Sequence, residues 1–255
     1  MRRLGGLFAG ILISAAVWLG AAAPALAGPF SDWAVVVVAG DFHDHAGAPS
    51  EIFDNARRDV TTALISRGFS AGNIQQFTAK PQSDPSVPGI LPSNQESLRT
   101  GLNAVAARAR GGCLIYFSSH GAPTGLLLGA QALPPLLLSQ MVNDACGARP
   151  TIMVISACFS GVFLQALSAP NRMVLTAARP DRTSFGCGSA DKYPFFDECF
   201  LQSLPQVHDF AGLGPAIQAC VSAREIREGL SPPSEPQFWV DPTFRPMLPL
   251  YRFSP

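Results

Sequence analysis

The sequence predicts an α/β protein: a three-layer α/β/α sandwich in which helices cover both faces of a mostly parallel central sheet. Three observations carry that expectation. Runs such as Trp33 to Ala39 are continuously apolar and β-branched, the pattern of strands buried on both faces. Segments of helical spacing separate those runs. Strand-helix-strand succession then requires parallel neighbours joined by crossovers.

Each element follows in order. Trp33 to Ala39 (WAVVVVA) is the first strand. Ser50 to Arg67 reads as a helix, with Ile52, Ala56, Val60, Ala63 and Leu64 on one stripe, Ser50 as cap and Gly68 as terminator. Ile74 to Phe77 is a short strand. Lys80 to Ser93 carries four prolines and reads as a long loop lining a binding cleft. Asn94 to Arg110 is the next helix, closed by Gly111 and Gly112. Cys113 to Ser118 is a strand, and Leu126 to Leu128 begins a small hairpin. Leu136 to Ala145 is a helix, Thr151 to Ile155 a strand, Val162 to Ser168 a helix and Arg172 to Ala177 a strand. Phe195 to Leu204 and Leu213 to Glu228 are helical, and Phe238 to Val240 forms a last strand after Ser231-Pro232-Pro233. No internal repeat interrupts the series.

The first residues are of another kind. Arg2 and Arg3 precede an apolar stretch from Leu4 to about Ala23, and Ala25-Leu26-Ala27 closes it, the order of a secretory signal peptide cleaved after Ala27. The rival reading is a signal anchor, because ~20 apolar residues can span a bilayer; Pro24 and the small-x-small site favour cleavage. Residues 28–255 then form one domain, a length at which a single core buries roughly 70–75% of the unfolded surface. The chain is 47% hydrophobic and 14% charged with formal net charge zero, which excludes a disordered class. It has no run of Lys or Arg, so nucleic acid is not an expected partner. No second segment is long and apolar enough for a membrane span. The expected location is periplasmic or secreted.

Export permits disulfides among the six cysteines. Cys113 opens one strand and Cys146 lies just before another. If those strands are neighbours, both thiols sit at the sheet end away from the strand tips, and Cys113 with Cys146 is the first expected pair. Cys187, Cys199 and Cys220 supply candidates for one more, since connectivity is not deducible from sequence.

Chemistry concentrates at two strand ends. One apolar run ends in Ser118-Ser119-His120-Gly121 and another in Ser156-Ala157-Cys158-Phe159-Ser160-Gly161. In open α/β sheets ligands bind beyond the carboxyl ends of strands, so both side chains arrive at one edge. Thiolate is a strong nucleophile, and a neighbouring imidazole can take the thiol proton or protonate a leaving amine. The glycines allow close approach of a substrate backbone, and the Gly121 and Cys158 amides are placed to face an oxyanion. His43 and His45, near Asp41 and Asp44, could suggest zinc. No further ligand cluster accompanies them, and they read as a loop at the mouth of the first strand. His208 reads as surface. The chemistry needs neither metal nor cofactor.

At these residues the chain resembles the legumain family of cysteine peptidases, within the caspase-haemoglobinase fold, over roughly residues 33–204. The strongest parts are IYFSSHGAPTGLLL (115–128) and VISACFSGVF (154–163); VVVVAGDF (35–42), DNARRDV (54–60) and LTAARPDRTSFGC (175–187) add to them. Its compact form, with the PPSEPQ segment (232–237), looks like the bacterial branch. The resemblance implies a caspase-like fold and a cysteine endopeptidase acting on a peptide or protein substrate. Cys158 would be its nucleophile, His120 its acid and base, and the Gly121 and Cys158 amides its oxyanion hole. A transamidase or peptide ligase using the same acyl-enzyme, or a silent binding module of the same fold, are the alternatives. The substrate pocket is assigned to Asn55, Ser119, Ser156 and Ser184. Legumain carries an arginine where this chain has Asn55 and an acid where it has Ser156, so asparaginyl specificity is not carried over. No legumain-like C-terminal inhibitory region is expected.

Overall fold

A computed structural model describes residues 28–81 and 89–254. The apolar leader at 1–27, with the expected cleavage site, lies outside the described residues. So do residues 82–88 of the proline-rich loop.

Strand β1 (Trp33–Ala39) is followed by α1 (Ile52–Ser66), β2 (Ile74–Thr78), β3 (Leu91–Pro92), α2 (Gln95–Arg108) and β4 (Gly112–Ser118). A small antiparallel sheet follows: β5 (Gly121–Ala122), β6 (Gly125–Leu128) and β7 (Gln131–Leu133). The chain continues through α3 (Pro135–Cys146), β8 (Thr151–Ser156), α4 (Phe163–Leu167) and β9 (Arg172–Thr176). It ends with α5 (Phe195–Ser203), α6 (Phe210–Glu228) and β10 (Gln237–Val240).

The main sheet runs β10-β9-β8-β4-β1-β2-β3, parallel throughout except for β10. From β1 the chain steps one way to β2 and the other way, through α2, to β4. The order therefore reverses between β1 and β4, the place where doubly wound sheets open a crevice.

Alternation along each strand divides the core into two layers. Val35, Val37, Leu114, Tyr116, Ile152 and Val154 face α1, α5 and α6. Val36, Val38, Ile115, Phe117, Met153 and Ile155 face α2, α3, α4 and the small sheet. All twelve are fully buried. At roughly 1.5–3 kcal/mol per buried large apolar side chain, these strand interiors dominate the driving force for the fold. Each layer carries one disulfide. Cys113 on β4 is bonded to Cys146 at the end of α3, and Cys199 on α5 to Cys220 on α6.

Four local details depart from the sequence reading. Ser50 does not cap α1: Glu51 occupies that position without a side-chain bond, and the Ser50 hydroxyl only accepts the Ile52 amide at 3.3 Å. The proline-rich segment is not all loop, because Leu91 and Pro92 pair with Phe77 and Thr78 at the sheet edge, where a proline's missing N–H costs no ladder bond. The expected hairpin is a three-stranded sheet. Helix α6 starts three residues earlier than its apolar spacing indicates, since Asp209 caps it by accepting the Gly212 amide at 3.1 Å. Among the described residues no helix is long and apolar enough to cross a membrane.

Candidate active site

The adjacent strands β4 and β8 pair Ser118 with Ser156 at their carboxyl ends. His120 and Cys158 each lie two residues further on. Parallel neighbours run about 4.8 Å apart, so one strand spacing separates the two tips. Both side chains line a single cleft of about 450 Å³, walled by Ser184, Cys187, Phe195 and the end of α6 at Glu228.

The turn after β8 is tightly specified. Phe159, directly after the cysteine, has φ +56°, a left-handed conformation costing a non-glycine residue of order 1–3 kcal/mol. Its amide is held by the Arg182 carbonyl at 2.8 Å. A side chain at Gly161 would place its Cβ 2.5 Å from Pro180. At Gly121 a Cβ would meet the Cys158 carbonyl oxygen at 2.1 Å. These glycines were expected to admit a substrate backbone. Instead they admit the protein's own chain, which packs the His turn directly on the Cys turn.

His120 is oriented from three sides. Its Nε2 lies 3.1 Å from the His43 carbonyl, which can only accept, so Nε2 carries the proton and Nδ1 is the basic nitrogen of the neutral ring. Asp41 Oδ2 is 3.9 Å from Nε2. Phe53 meets the ring edge-on at 4.9 Å between centroids. The Cys158 sulfur accepts the Ser184 amide at 3.3 Å and lies 3.6 Å from the Ser184 carbonyl and hydroxyl oxygens.

The loop after β1 forms the third wall. Asp44 accepts the amides of Ala46 and Ala48, both at 2.9 Å, and closes the loop on itself. His45 Nδ1 donates to the Cys187 carbonyl at 2.9 Å, and His43 Nδ1 donates to Asp41 at 2.9 Å. Among the described residues no group of three or more His, Cys, Asp or Glu is arranged to hold a metal. His43, His45 and His120 border a second open hollow of about 480 Å³, and His120 to Leu127 a third of about 230 Å³.

Of the residues assigned to the substrate pocket, only Ser184 lines the cleft with Cys158. Ser119 is buried and its hydroxyl donates to the Leu127 carbonyl at 2.7 Å, fastening the small sheet. Ser156 is buried too and donates to Asp197 at 3.0 Å. Asn55 donates to the Lys192 carbonyl at 3.1 Å and accepts from Arg58, so it ties α1 to the loop before α5.

Two groups escaped the sequence reading. Cys187, a disulfide candidate there, is a free thiol in the cleft wall. Burial pushes its pKa up, reinforced by Cys158, Asp197 and Asp191, so it stays protonated and weakly nucleophilic. Asp197 is fully buried and accepts from Tyr116, from Ser118 at 2.6 Å and from Ser156. Burial pushes its pKa up to about 7 against the opposing effect of those three hydrogen bonds. The available signal was Asp197, the first of two acids between Phe196 and Phe200, on the buried side of α5.

The chain matches the model of the peptidase C13 family over residues 33–213. No curated protein matches it. Among solved structures it is similar to caspase-1 from Spodoptera frugiperda, with a TM-score of 0.59 and 13% identity over 89% of this chain and 94% of that one. At that identity the likeness concerns the fold.

Proposed function

The chain belongs to the peptidase C13 family, and from that premise we propose that it is an exported cysteine endopeptidase working through Cys158 and His120. One observation carries the reading: the two reactive side chains stand at the tips of adjacent parallel strands and share one cleft. The Cys158 thiolate adds to the scissile carbonyl carbon. The carbon–nitrogen bond then breaks as His120 supplies a proton to the departing amine, and water resolves the thioester to a carboxylate and the free thiol. The Gly121 and Cys158 amides, on turns in direct contact, are the oxyanion donors in this mechanism.

Open hollows around His120 support an endopeptidase, which needs room for chain on both sides of the scissile bond. Two disulfides support export, because a reducing cytosol would not maintain them. The test is a peptide-library cleavage profile of the mature protein beside Cys158→Ala, run with and without an added amine. Cleavage lost in the variant is the expected result; amide products in place of acids would make the protein a transamidase, and cleavage retained in the variant would remove Cys158 as nucleophile. Mass spectrometry of the exported protein should find Gly28 at its N-terminus.

A further inference from the structure

A carboxylate buried without a cation is costly, and an apolar residue of similar size would normally stabilise the fold more. Asp197 is such a group, fully buried and, among the described residues, without an ion-pair partner. Its placement gives a reason. The register pair Ser118 and Ser156 donate to the same oxygen, Oδ2, at 2.6 and 3.0 Å, while Tyr116 holds Oδ1. One carboxylate thus bridges the last residues of β4 and β8 from below, two residues before His120 on one strand and two before Cys158 on the other. The helix that carries it is itself fastened, since Cys199, two positions on, is bonded to Cys220 of α6. The two oxygens of the Asp197 carboxyl offer enough lone-pair sites to accept all three hydroxyls.

We infer that Asp197 is a positioning residue for the Cys158–His120 pair: its carboxylate clamps the two catalytic strand tips at one separation through Ser118 and Ser156. The side chain touches no reacting atom. It acts on the reaction only by holding the turns that do, where a displacement near 1 Å can cost about 10²-fold in rate.

The inference rests on the cysteine-peptidase reading, and its test separates the two. Asp197→Asn keeps the shape but replaces one acceptor oxygen by a donor. It should lower kcat about 10- to 100-fold with KM changed less than threefold and the thermal midpoint at pH 8 within a few degrees of wild type. The Ser118→Ala, Ser156→Ala double variant should reproduce the loss, and adding Asp197→Asn to it should cost less than a further twofold, because all three act through one bridge. Near-wild-type kcat in Asp197→Asn, or fully additive losses, would overturn the inference while leaving Cys158 as nucleophile. A drop in kcat that merely follows a rise in KM and a fall in thermal midpoint would also overturn it, reducing Asp197 to a fold residue. If Asp197→Asn does not fold, the serine double variant decides alone: unchanged kcat there rejects the clamp. A wild-type protein that cleaves nothing would sink the catalytic reading and this inference together.

Discussion

The two helical layers have similar apolar contacts with the sheet and one disulfide each, yet they differ in what they contribute. The layer of α2, α3 and α4 meets its face of the sheet with aliphatic and aromatic side chains, and its disulfide anchors the beginning of β4. The layer of α1, α5 and α6 sends polar groups and ring edges to the other end of the same strands. Phe53 from α1 braces His120, Asp197 from α5 bridges the strand tips, and Phe195 with Glu228 walls the cleft. One layer therefore supplies stability, and the other supplies stability and the site. The candidate catalytic pair resides beyond strand ends, and of the two helical layers it is that of α1, α5 and α6 that sends side chains to brace it.

Substitutions can break that contrast, beginning with the reacting atoms themselves. Cys158→Ala should abolish turnover with the fold unchanged by circular dichroism, because removing one sulfur from a half-exposed turn leaves a small cavity. Residual turnover above background would end the assignment. His120→Ala should cost about 10²–10⁴ in kcat, the usual share of general acid-base catalysis. If the histidine serves the leaving group more than the thiol, alkylation of Cys158 should slow less than turnover does.

The disulfides sharpen the contrast further. They close 33 and 21 residues of chain, each contributing about 3–4 kcal/mol in the chain-entropy account. Replacing Cys113 and Cys146 by alanine should lower denaturant stability by that amount while kcat below the transition stays within about twofold. Replacing Cys199 and Cys220 should cost similar stability and also lower kcat, since it frees the helix that carries Asp197. Equal kcat in the two variants would mean that the layers do not differ in this respect.

The smallest expected effect is a dependence of stability on pH. Asp197 has a folded pKa raised from 3.8 to about 7, chiefly by burial. The neutral form is therefore favoured by folding. Its contribution is complete below the unfolded value and is lost as pH rises through about 7. Thermal midpoints of wild type should fall between pH 5 and pH 8 relative to those of Asp197→Asn, which lacks the titrating carboxyl. A parallel course for both proteins would show that Asp197 does not titrate there.

Much of the fold was legible in the chain because strand burial is a local property. WAVVVVA announces a strand covered on both faces, and the alternation of such runs with helical stripes leaves a mostly parallel sheet as the consistent outcome. His120 and Cys158 were legible for the same reason, since each ends an apolar run and is followed by glycine. What the chain did not disclose was which distant groups converge. Asp197 lies 79 positions from Ser118 and 41 from Ser156, and no local period relates them. Ser156 was assigned to the substrate pocket from the legumain resemblance, but its hydroxyl turns inward to Asp197 as that of Ser119 turns to the Leu127 carbonyl, partners that only the packing brings near. Gly121 and Gly161 signalled close approach correctly while the approaching atoms were the protein's own. Composition and periodicity specify what is buried and in which element. The packing of α5 across the ends of β4 and β8 decides which polar groups meet there, because that contact depends on long-range geometry.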